Sequence, residues 1–343
     1  MNSICWINNQ STTFKHINDL LNVLRIRIFF VNFYQFSHNI VSYNCVYKVI
    51  NYFNMKAIKT TLLIVFISLG IYSCTDDNSG PSDPQDQIPL EFRQELNVSY
   101  GTDGDQVFDI YLPANRTLAT KVMILVHGGG WTSGDKSDMN PFKDIMLQDL
   151  PDIAIVNINY RLADENNQPY PMQIDDITSV VNLLKANQND YVISDDFAFL
   201  GTSAGAHLSM LWSYAFDTDN NVKMVASVVG PTNFTDPAYL ENDDPILQEL
   251  IDTFGIDTSI EYLEEISPYH QVTAASPPTI LFYGGQDPLI PTSQGLDMET
   301  QLANLGVTHQ FTLYPNAGHG WIGLELIDTW TKLKAFTETH LED

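Results

Sequence analysis

The stretch FAFLGTSAGAHLSMLWSY, residues 197–214, decides the fold expected for this chain. Its first four residues form a short apolar run of the kind found in buried strands, and helical spacing follows from residue 203. Between them lies GTSAG, with Ser203 at its centre. A sharp strand-to-helix turn lifts the central side chain out of the sheet, and the flanking glycines avoid Cβ clashes. Ser203 is therefore the candidate nucleophile, at a helix N-terminus that favours developing negative charge.

Strand-like and helix-like patterns alternate on both sides of this stretch. Apolar and β-branched runs predict strands at 107–112, 121–126, 153–159, 197–200, 224–229, 279–283 and 309–313. Helical spacing predicts helices at 174–184, 203–214, 296–305 and 324–341. Near-continuous apolar strands between amphipathic helices indicate a parallel sheet with helices on both faces. Residues 231–277 interrupt the alternation and are too long for a plain crossover, so we expect an inserted helical lid there.

Two later loops supply partners for the serine, which needs a base to accept its proton. His319 lies in NAGHG, after the last predicted strand, and is the candidate base. Asp287 lies in GGQDP, after the strand at 279–283, and would hold the imidazole tautomer and stabilise the imidazolium. His207 follows Ser203 by one helical turn, but that helix points away from the elbow. We expect His207 to be packed and hydrogen-bonded inside the fold.

A glycine run after the strand at 121–126 is the candidate oxyanion loop. The motif is HGGGW, residues 127–131. Glycines let the backbone approach a tetrahedral intermediate closely enough for N–H groups to donate to its oxyanion. We expect these donors from Gly129 and Gly130, joined by Ala204 after the nucleophile. Trp131 and His127 are assigned to the substrate pocket, and His127 is expected to orient the loop without transferring protons.

Taken in order, HGGGW, GTSAG, GGQD and NAGHG make the chain resemble an α/β-hydrolase of the esterase and lipase group with an HGGG loop. The resemblance covers about residues 95–341. It implies a mostly parallel eight-stranded sheet with helices on both faces, a small lid at 231–277, and a triad in the chain order Ser, Asp, His. The hormone-sensitive-lipase branch has a helical cap before its first strands. Here only a short tether precedes them, so the chain is more similar to bacterial feruloyl and acetyl esterases.

The function implied by this resemblance is hydrolysis of carboxylic esters through an acyl-enzyme, without a cofactor. The expected substrates are short-chain or aromatic esters, as small molecules or attached to polysaccharides, with the lid setting the acyl-size preference. One alternative is an arylformamidase, whose family carries an HGG-x-W loop. A peptidase is disfavoured because a propeller or large accessory domain is missing from the sequence. A non-catalytic binding module on a hydrolase scaffold is a further alternative, against which the set Ser203, Asp287 and His319 argues.

The charge of the chain excludes other classes of partner. The formal net charge is −26, and residues 1–73 hold six of the 16 basic residues but one of the 42 acidic ones. The remaining chain is strongly acidic and repels phosphate backbones, so nucleic acid is not an expected partner. No metal site is expected either. The acidic run at 241–244 has the character of a solvated surface, and Cys5, Cys45 and Cys74 lack a Cys-x-x-Cys spacing.

The N-terminal region has the pattern of a delivery signal. Residues 55–73 combine a basic start, an apolar middle and a small-residue end, which is the layout of a secretory signal. IYSC, residues 71–74, resembles the lipobox of bacterial lipoproteins. This implies cleavage before Cys74, lipidation of Cys74 and anchoring in the cell envelope of a Gram-negative bacterium. We expect residues 1–54 to be a mis-called extension before a start at Met55, and residues 74–92 to form a flexible tether before the hydrolase domain at 93–343.

Replacing the cysteine that would carry the lipid tests this reading. Cys74→Ser should move the protein from the membrane fraction to the soluble fraction of a Gram-negative host, because the acylated thiol is lost. Expression from Met55 should give the same mature product as the full reading frame. Cell fractionation and the mass of the mature N-terminus measure both. A stable product that retains residues 1–54 would contradict the start-site expectation.

Overall fold

A computed structural model describes residues 89–241 and 259–342 of the chain. The strands are β1 Arg93–Ser99, β2 Val107–Leu112, β3 Val122–Val126, β4 Ala154–Ile158, β5 Phe197–Thr202, β6 Val222–Val228, β7 Thr279–Gly284 and β8 His309–Tyr314. The longer helices are α1 Asn140–Asp149, α2 Pro169–Ala186, α3 Ala204–Ala215, α4 Thr292–Leu305 and α5 Leu324–Thr337. Short helical turns occur at Lys136–Met139, Gln188–Tyr191, Pro237–Leu240, Ile260–Glu265, Pro268–Gln271 and Glu338–Glu342.

The strands form one eight-stranded sheet in the order β1-β2-β4-β3-β5-β6-β7-β8. β2 pairs antiparallel with both β1 and β4, and every other pairing between neighbours is parallel. Strand β2 therefore runs in the direction opposite to the other seven strands. The carboxyl ends of the parallel strands meet at one edge of the sheet, and the loops that leave this edge can share one site.

Both faces of the sheet are covered. All five residues of β3 are buried, and they alternate between two apolar clusters on opposite faces. Val122, Ile124 and Val126 belong to one cluster, and Met123 and Leu125 belong to the other. This explains why the strand reads as a continuous apolar run. The expected architecture, a mostly parallel eight-stranded sheet between helices, is confirmed.

Several boundaries differ from the sequence expectation. Strand β1 and helix α1 were not predicted, since β1 is an edge strand with exposed positions and α1 buries only Met146. The tether also ends earlier than residue 92. The carbonyl of Leu90 accepts the Asn115 N–H at 2.8 Å, and that of Glu91 accepts from the Arg116 guanidinium at 2.8 Å. The expected extension at 1–54, the signal at 55–73, and the tether up to residue 88 lie outside the described residues, as do residues 242–258 of the expected lid.

Helix α3 packs so closely on β3 that a glycine is required at the contact. A Cβ atom on Gly205 would stand 2.3 Å from the carbonyl oxygens of both Val126 and His127. Both atoms belong to backbone that cannot move without displacing the sheet or the following loop. The first turn of α3 is thereby fixed against the strand end from which the candidate oxyanion loop leaves.

Gly205→Ala should lower the melting temperature markedly, because overpacking of this kind costs about 1–3 kcal/mol or more. The matched control is Gly104→Ala, where the added Cβ meets no atom within 4 Å. Thermal melting of both variants against the parent measures the difference. Without a clash, alanine in place of glycine would stabilise the helix by about 1 kcal/mol. A Gly205→Ala protein as stable as the control would therefore contradict the close approach of α3 to β3.

Candidate active site

The candidate nucleophile occupies a strained turn. Ser203 lies between β5 and α3 with φ 51° and ψ −120°, a backbone region that residues with a side chain rarely adopt. Its N–H donates to the Val228 carbonyl at 2.8 Å, and its carbonyl accepts from the N–H groups of Ala206 and His207. A Cβ on Gly201 would stand 2.3 Å from the Gly205 carbonyl oxygen. The two motif glycines thus permit the turn, as the sequence predicted.

Three polar side chains meet at this turn in a hydrogen-bonded chain. The Ser203 hydroxyl lies 2.9 Å from Nε2 of His319, and Nδ1 of His319 lies 2.8 Å from Oδ2 of Asp287. The Asp287 side chain is 1% exposed, whereas the His319 side chain is 24% exposed. The structure therefore brings together the three residues selected from the sequence, with the acid buried behind the imidazole and the imidazole reaching the cavity.

The acid and the histidine are held by loops that bind each other. Oδ1 of Asp287 accepts the N–H groups of Leu289 and Ile290 at 2.8 and 3.1 Å, which leaves Oδ2 for the imidazole. The Gln286 N–H donates to the Ala317 carbonyl at 2.8 Å and joins the loop after β7 to the loop after β8. This fixes the separation of the two side chains before any ligand is present.

The glycine loop after β3 lies against the nucleophile. A Cβ on Gly128 would stand 3.1 Å from the Cβ of Ser203, so only a glycine allows this approach without displacement. The Gly129 carbonyl accepts the N–H and the hydroxyl of Ser133 at 3.0 and 2.8 Å, which closes the loop on itself. Gly129 and Gly130 both have positive φ, 114° and 57°.

The expected oxyanion donors line or adjoin the cavity. Gly129 and Gly130 lie on the cavity wall beside Ser203. Across the described ranges, neither of their N–H groups donates a hydrogen bond to another residue. Ala204 is the first residue of α3, so its N–H has no partner within the helix. These three N–H groups are available to a ligand oxygen at the nucleophile.

Of the two residues assigned to the substrate pocket, Trp131 lies in the cavity lining and His127 does not. His127 is fully buried, stacks on Tyr160 at 4.2 Å between ring centroids, and lies with Nδ1 2.6 Å from the Gly128 carbonyl. Trp131 contributes to the cavity wall but is only 1% exposed. Its φ is 63°, and its buried indole N–H donates to Nδ1 of His207 at 3.2 Å. Burial lowers the pKa of His127 and so favours its neutral ring.

His207 is packed and hydrogen-bonded, as the sequence indicated. It is fully buried, and besides accepting from Trp131 it contacts the Ile266 carbonyl through Nε2 at 2.7 Å. Burial lowers the pKa of His207 to about 4, so the ring is neutral near pH 7.

A cavity of about 540 Å³ opens over the triad. Its walls are mainly apolar, and they include residues that the sequence did not single out: Phe142, Val228, Val229, Leu289, Ile290, Trp321 and Leu326. Trp321 was within reach of sequence reasoning, because it lies two residues after His319. Phe142 was not, because helix α1 was missed. Next to Trp321, the side chains of Ile322, Leu324 and Ile327 are 73%, 80% and 62% exposed and form an apolar rim.

The described part of the insertion at 231–277 contributes little to this cavity. Of its described residues, 231–241 and 259–277, only Pro231 lies in the cavity lining. Several of the others are buried in the fold: the Thr232 N–H donates to the Gln294 side chain at 2.8 Å, and Phe234 contacts Trp131 at 6.0 Å between ring centroids. The expected lid helix at 246–254 lies outside the described residues.

The described residues contain neither a group of side chains suited to bind a metal ion nor a helix suited to span a membrane. Nowhere in 89–241 or 259–342 do three or more acidic, histidine or cysteine side chains group as they would to hold a metal ion. Within the same part of the chain, helices fall short of the length and apolarity needed to cross a membrane.

The strand order, the turn at Ser203 and the hydrogen-bonded triad define an α/β-hydrolase, and comparison with known proteins gives the same class. Residues 108–302 match the model of the BD-FAE family, so the chain belongs to that family. It is similar to the esterase LipC of Mycobacterium tuberculosis, with 26% identity over 242 residues, covering 65% of this chain and 59% of LipC. The carboxylesterase NlhH of the same organism is 27% identical over 261 residues, covering 71% of this chain and 80% of NlhH.

A solved structure shares the fold. A truncated form of a carbohydrate esterase from gut microbiota superposes with a TM-score of 0.59 and 21% identity, covering 71% of this chain and 96% of that one. The chain spans about three fifths of the length of LipC, so LipC contains further sequence that has no counterpart in the alignment.

Proposed function

We propose that this protein is a serine carboxylesterase that hydrolyses short-chain or aromatic esters through an acyl-enzyme. The observation that carries the proposal is the unbroken hydrogen-bond chain from Ser203 through His319 to Asp287, beside N–H groups that have no partner in the described structure. The similar curated proteins are named as esterases, which supports the same reaction.

In the proposed reaction each group of the site has one role. Nε2 of His319 accepts the proton of the Ser203 hydroxyl as Oγ attacks the ester carbonyl carbon. The carbonyl oxygen becomes an oxyanion, to which the N–H groups of Gly129, Gly130 and Ala204 donate. The imidazolium returns its proton to the departing alcohol, which leaves an acyl-serine. Water, deprotonated by His319, then attacks the acyl group and releases the acid and Ser203. Asp287 holds the imidazole orientation throughout.

The cavity favours a neutral acyl group of moderate size. Apolar walls from Phe142, Leu289, Ile290 and Leu326 suit a short alkyl or a planar aromatic group. The lining includes one carboxylate, Asp138, which disfavours an anionic substrate. A similar solved structure is named a carbohydrate esterase, so acetylated or feruloylated polysaccharide is a candidate natural substrate.

An arylformamidase would use the same triad, and the cavity alone does not separate the two reactions. A panel containing p-nitrophenyl acetate, methyl ferulate, acetylated xylan and an N-formyl arylamine separates them directly. We expect cleavage of the esters. Preferential cleavage of the formamide would identify the alternative.

Loss of the nucleophile tests the reaction itself. Ser203→Ala should lower kcat for p-nitrophenyl acetate by about 10⁴–10⁶, because triad members act as a unit. Asp287→Asn should lower kcat by about 10⁴ because it favours the wrong tautomer, while its amide oxygen can still cap the loop. Steady-state kinetics and melting curves measure both effects. Ester hydrolysis close to the parent rate by Ser203→Ala would refute the proposal.

The cavity wall tests the acyl preference. Leu326→Ala removes part of the wall, so the ratio of kcat/KM for octanoyl over acetyl esters should rise by about 10-fold, the range expected from a few methylenes in an apolar pocket. Leu296→Ala is the matched control, since Leu296 has a similar exposure of 41% against 42% for Leu326 and lies outside the cavity lining. An equal change in both variants would place the acyl group elsewhere.

A further inference from the structure

A buried connection runs from the insertion at 231–277 to the oxyanion loop. Its centre is His207 on α3, which is fully buried and has no direct hydrogen bond to the triad side chains among the contacts of the described residues. On one side its Nδ1 accepts from the indole N–H of Trp131 at 3.2 Å. On the other side its Nε2 contacts the carbonyl oxygen of Ile266 at 2.7 Å.

The partners of His207 fix its tautomer. An indole N–H can only donate, so Nδ1 must carry a lone pair. A carbonyl oxygen can only accept, so Nε2 must carry the proton. The neutral ring therefore satisfies both neighbours at once, with a donor on the oxyanion-loop side and an acceptor on the insertion side. This is a directional link, which an apolar side chain of similar volume would not provide.

Trp131 needs such a link because its backbone is strained. A φ of 63° is uncommon for a large aromatic residue and persists only where the surroundings hold it. The carbonyl of Trp131 accepts from the Gln173 side chain at 2.7 Å and from the Ala163 N–H at 2.9 Å. The indole is held by His207, so both ends of the residue are fixed. Trp131 directly follows Gly130, and rotation of its backbone would turn the Gly129 and Gly130 N–H groups away from Ser203.

The insertion braces the same contact. Phe234 packs on the rings of Trp131 and His207, at 6.0 and 5.2 Å between centroids. The Phe234 N–H donates to the Ser267 hydroxyl at 2.8 Å, and that hydroxyl donates to the Leu263 carbonyl. Residues 231–241 and 259–277 are thereby joined to each other directly below the oxyanion loop.

We propose that the insertion acts on the transition state, through a strut formed by Ile266, His207 and Trp131 that holds the N–H donors of Gly129 and Gly130 in place. His207 is a positioning residue in this arrangement, since it touches neither substrate nor the reacting atoms. The inference rests on the proposed function, because the donors matter only where an oxyanion forms. It is distinct from the expectation that the insertion sets acyl size, which depends on residues outside the described part of the chain.

A strut of this kind predicts a specific kinetic signature. Misplacing a donor by about 1 Å costs on the order of 10²-fold in rate, whereas ground-state binding of the acyl group depends on other walls. Trp131→Phe keeps the ring and removes the N–H that donates to His207. It should lower kcat by about 10²-fold, leave KM within about 3-fold, and do so by the same factor for every acyl length. Affinity for a trifluoromethyl ketone, which forms an oxyanion on Ser203, should fall in parallel.

The control removes the same kind of bond from the same helix. Trp212 on α3 is 4% exposed, and its indole N–H donates to the Thr178 hydroxyl at 2.9 Å. Trp212→Phe should lose similar stability in a melting experiment and keep its kcat. His207→Gln, whose amide oxygen can accept from the indole, should retain more activity than His207→Ala. His207→Ala should show the full loss of kcat. Comparison of His207→Gln with His207→Ala therefore tests whether the hydrogen bond to the indole is what maintains kcat.

Three results would overturn the strut. One is an unchanged kcat and inhibitor affinity in Trp131→Phe. Another is an equal fall of kcat in the Trp212→Phe control, which would mean a general loss of packing. A third is a loss confined to long or bulky esters, which would return the insertion to the role of setting acyl size. Failure of the proposed function gives a different result, since Ser203→Ala would then retain esterase activity whatever the strut variants do.

Discussion

The backbone of Ser203 is the constraint on which the rest of the structure depends. A side chain held at φ 51° between a strand and a helix requires a glycine at 201, where β5 nears its end, and a glycine at 205, where α3 meets β3. These contacts bring the end of β3, and with it the glycine loop, against the serine. The turn therefore determines how helix α3 packs, and this packing determines where the proposed oxyanion donors lie.

The other groups of the site follow from the direction of the strands. The loops after β3, β5, β7 and β8 all leave the carboxyl edge of the sheet, because these strands run parallel. The candidate donor loop, nucleophile, acid and base come from these four loops in the order β3, β5, β7 and β8. Local hydrogen bonds then fix the exact positions of the side chains. An example is the pair of backbone N–H groups that orient the Asp287 carboxylate.

The sequence predicted those features that depend on local pattern. Fully buried strands such as β3 read as apolar runs, and the triad residues lie in glycine-containing loops next to predicted strands. Strand β1 was not predicted, because an edge strand with exposed positions shows little hydrophobic pattern. The burial of the Trp131 and His127 side chains was not predicted, because adjacency to the glycine loop does not reveal how deeply a side chain is packed. Likewise, the contact from Ile266 to His207 joins residues 59 positions apart, which no local pattern reveals.

The apolar rim beside the cavity has a consequence for how the protein behaves in concentrated solution. Ile322, Leu324 and Ile327 expose aliphatic surface on a chain of formal net charge −26. At low ionic strength, mutual repulsion keeps molecules apart and offsets the tendency of such patches to associate. Salt shortens the range of that repulsion to about 8 Å at physiological ionic strength, while leaving the apolar attraction intact. The colloidal stability of the protein therefore depends on the ionic strength of the medium.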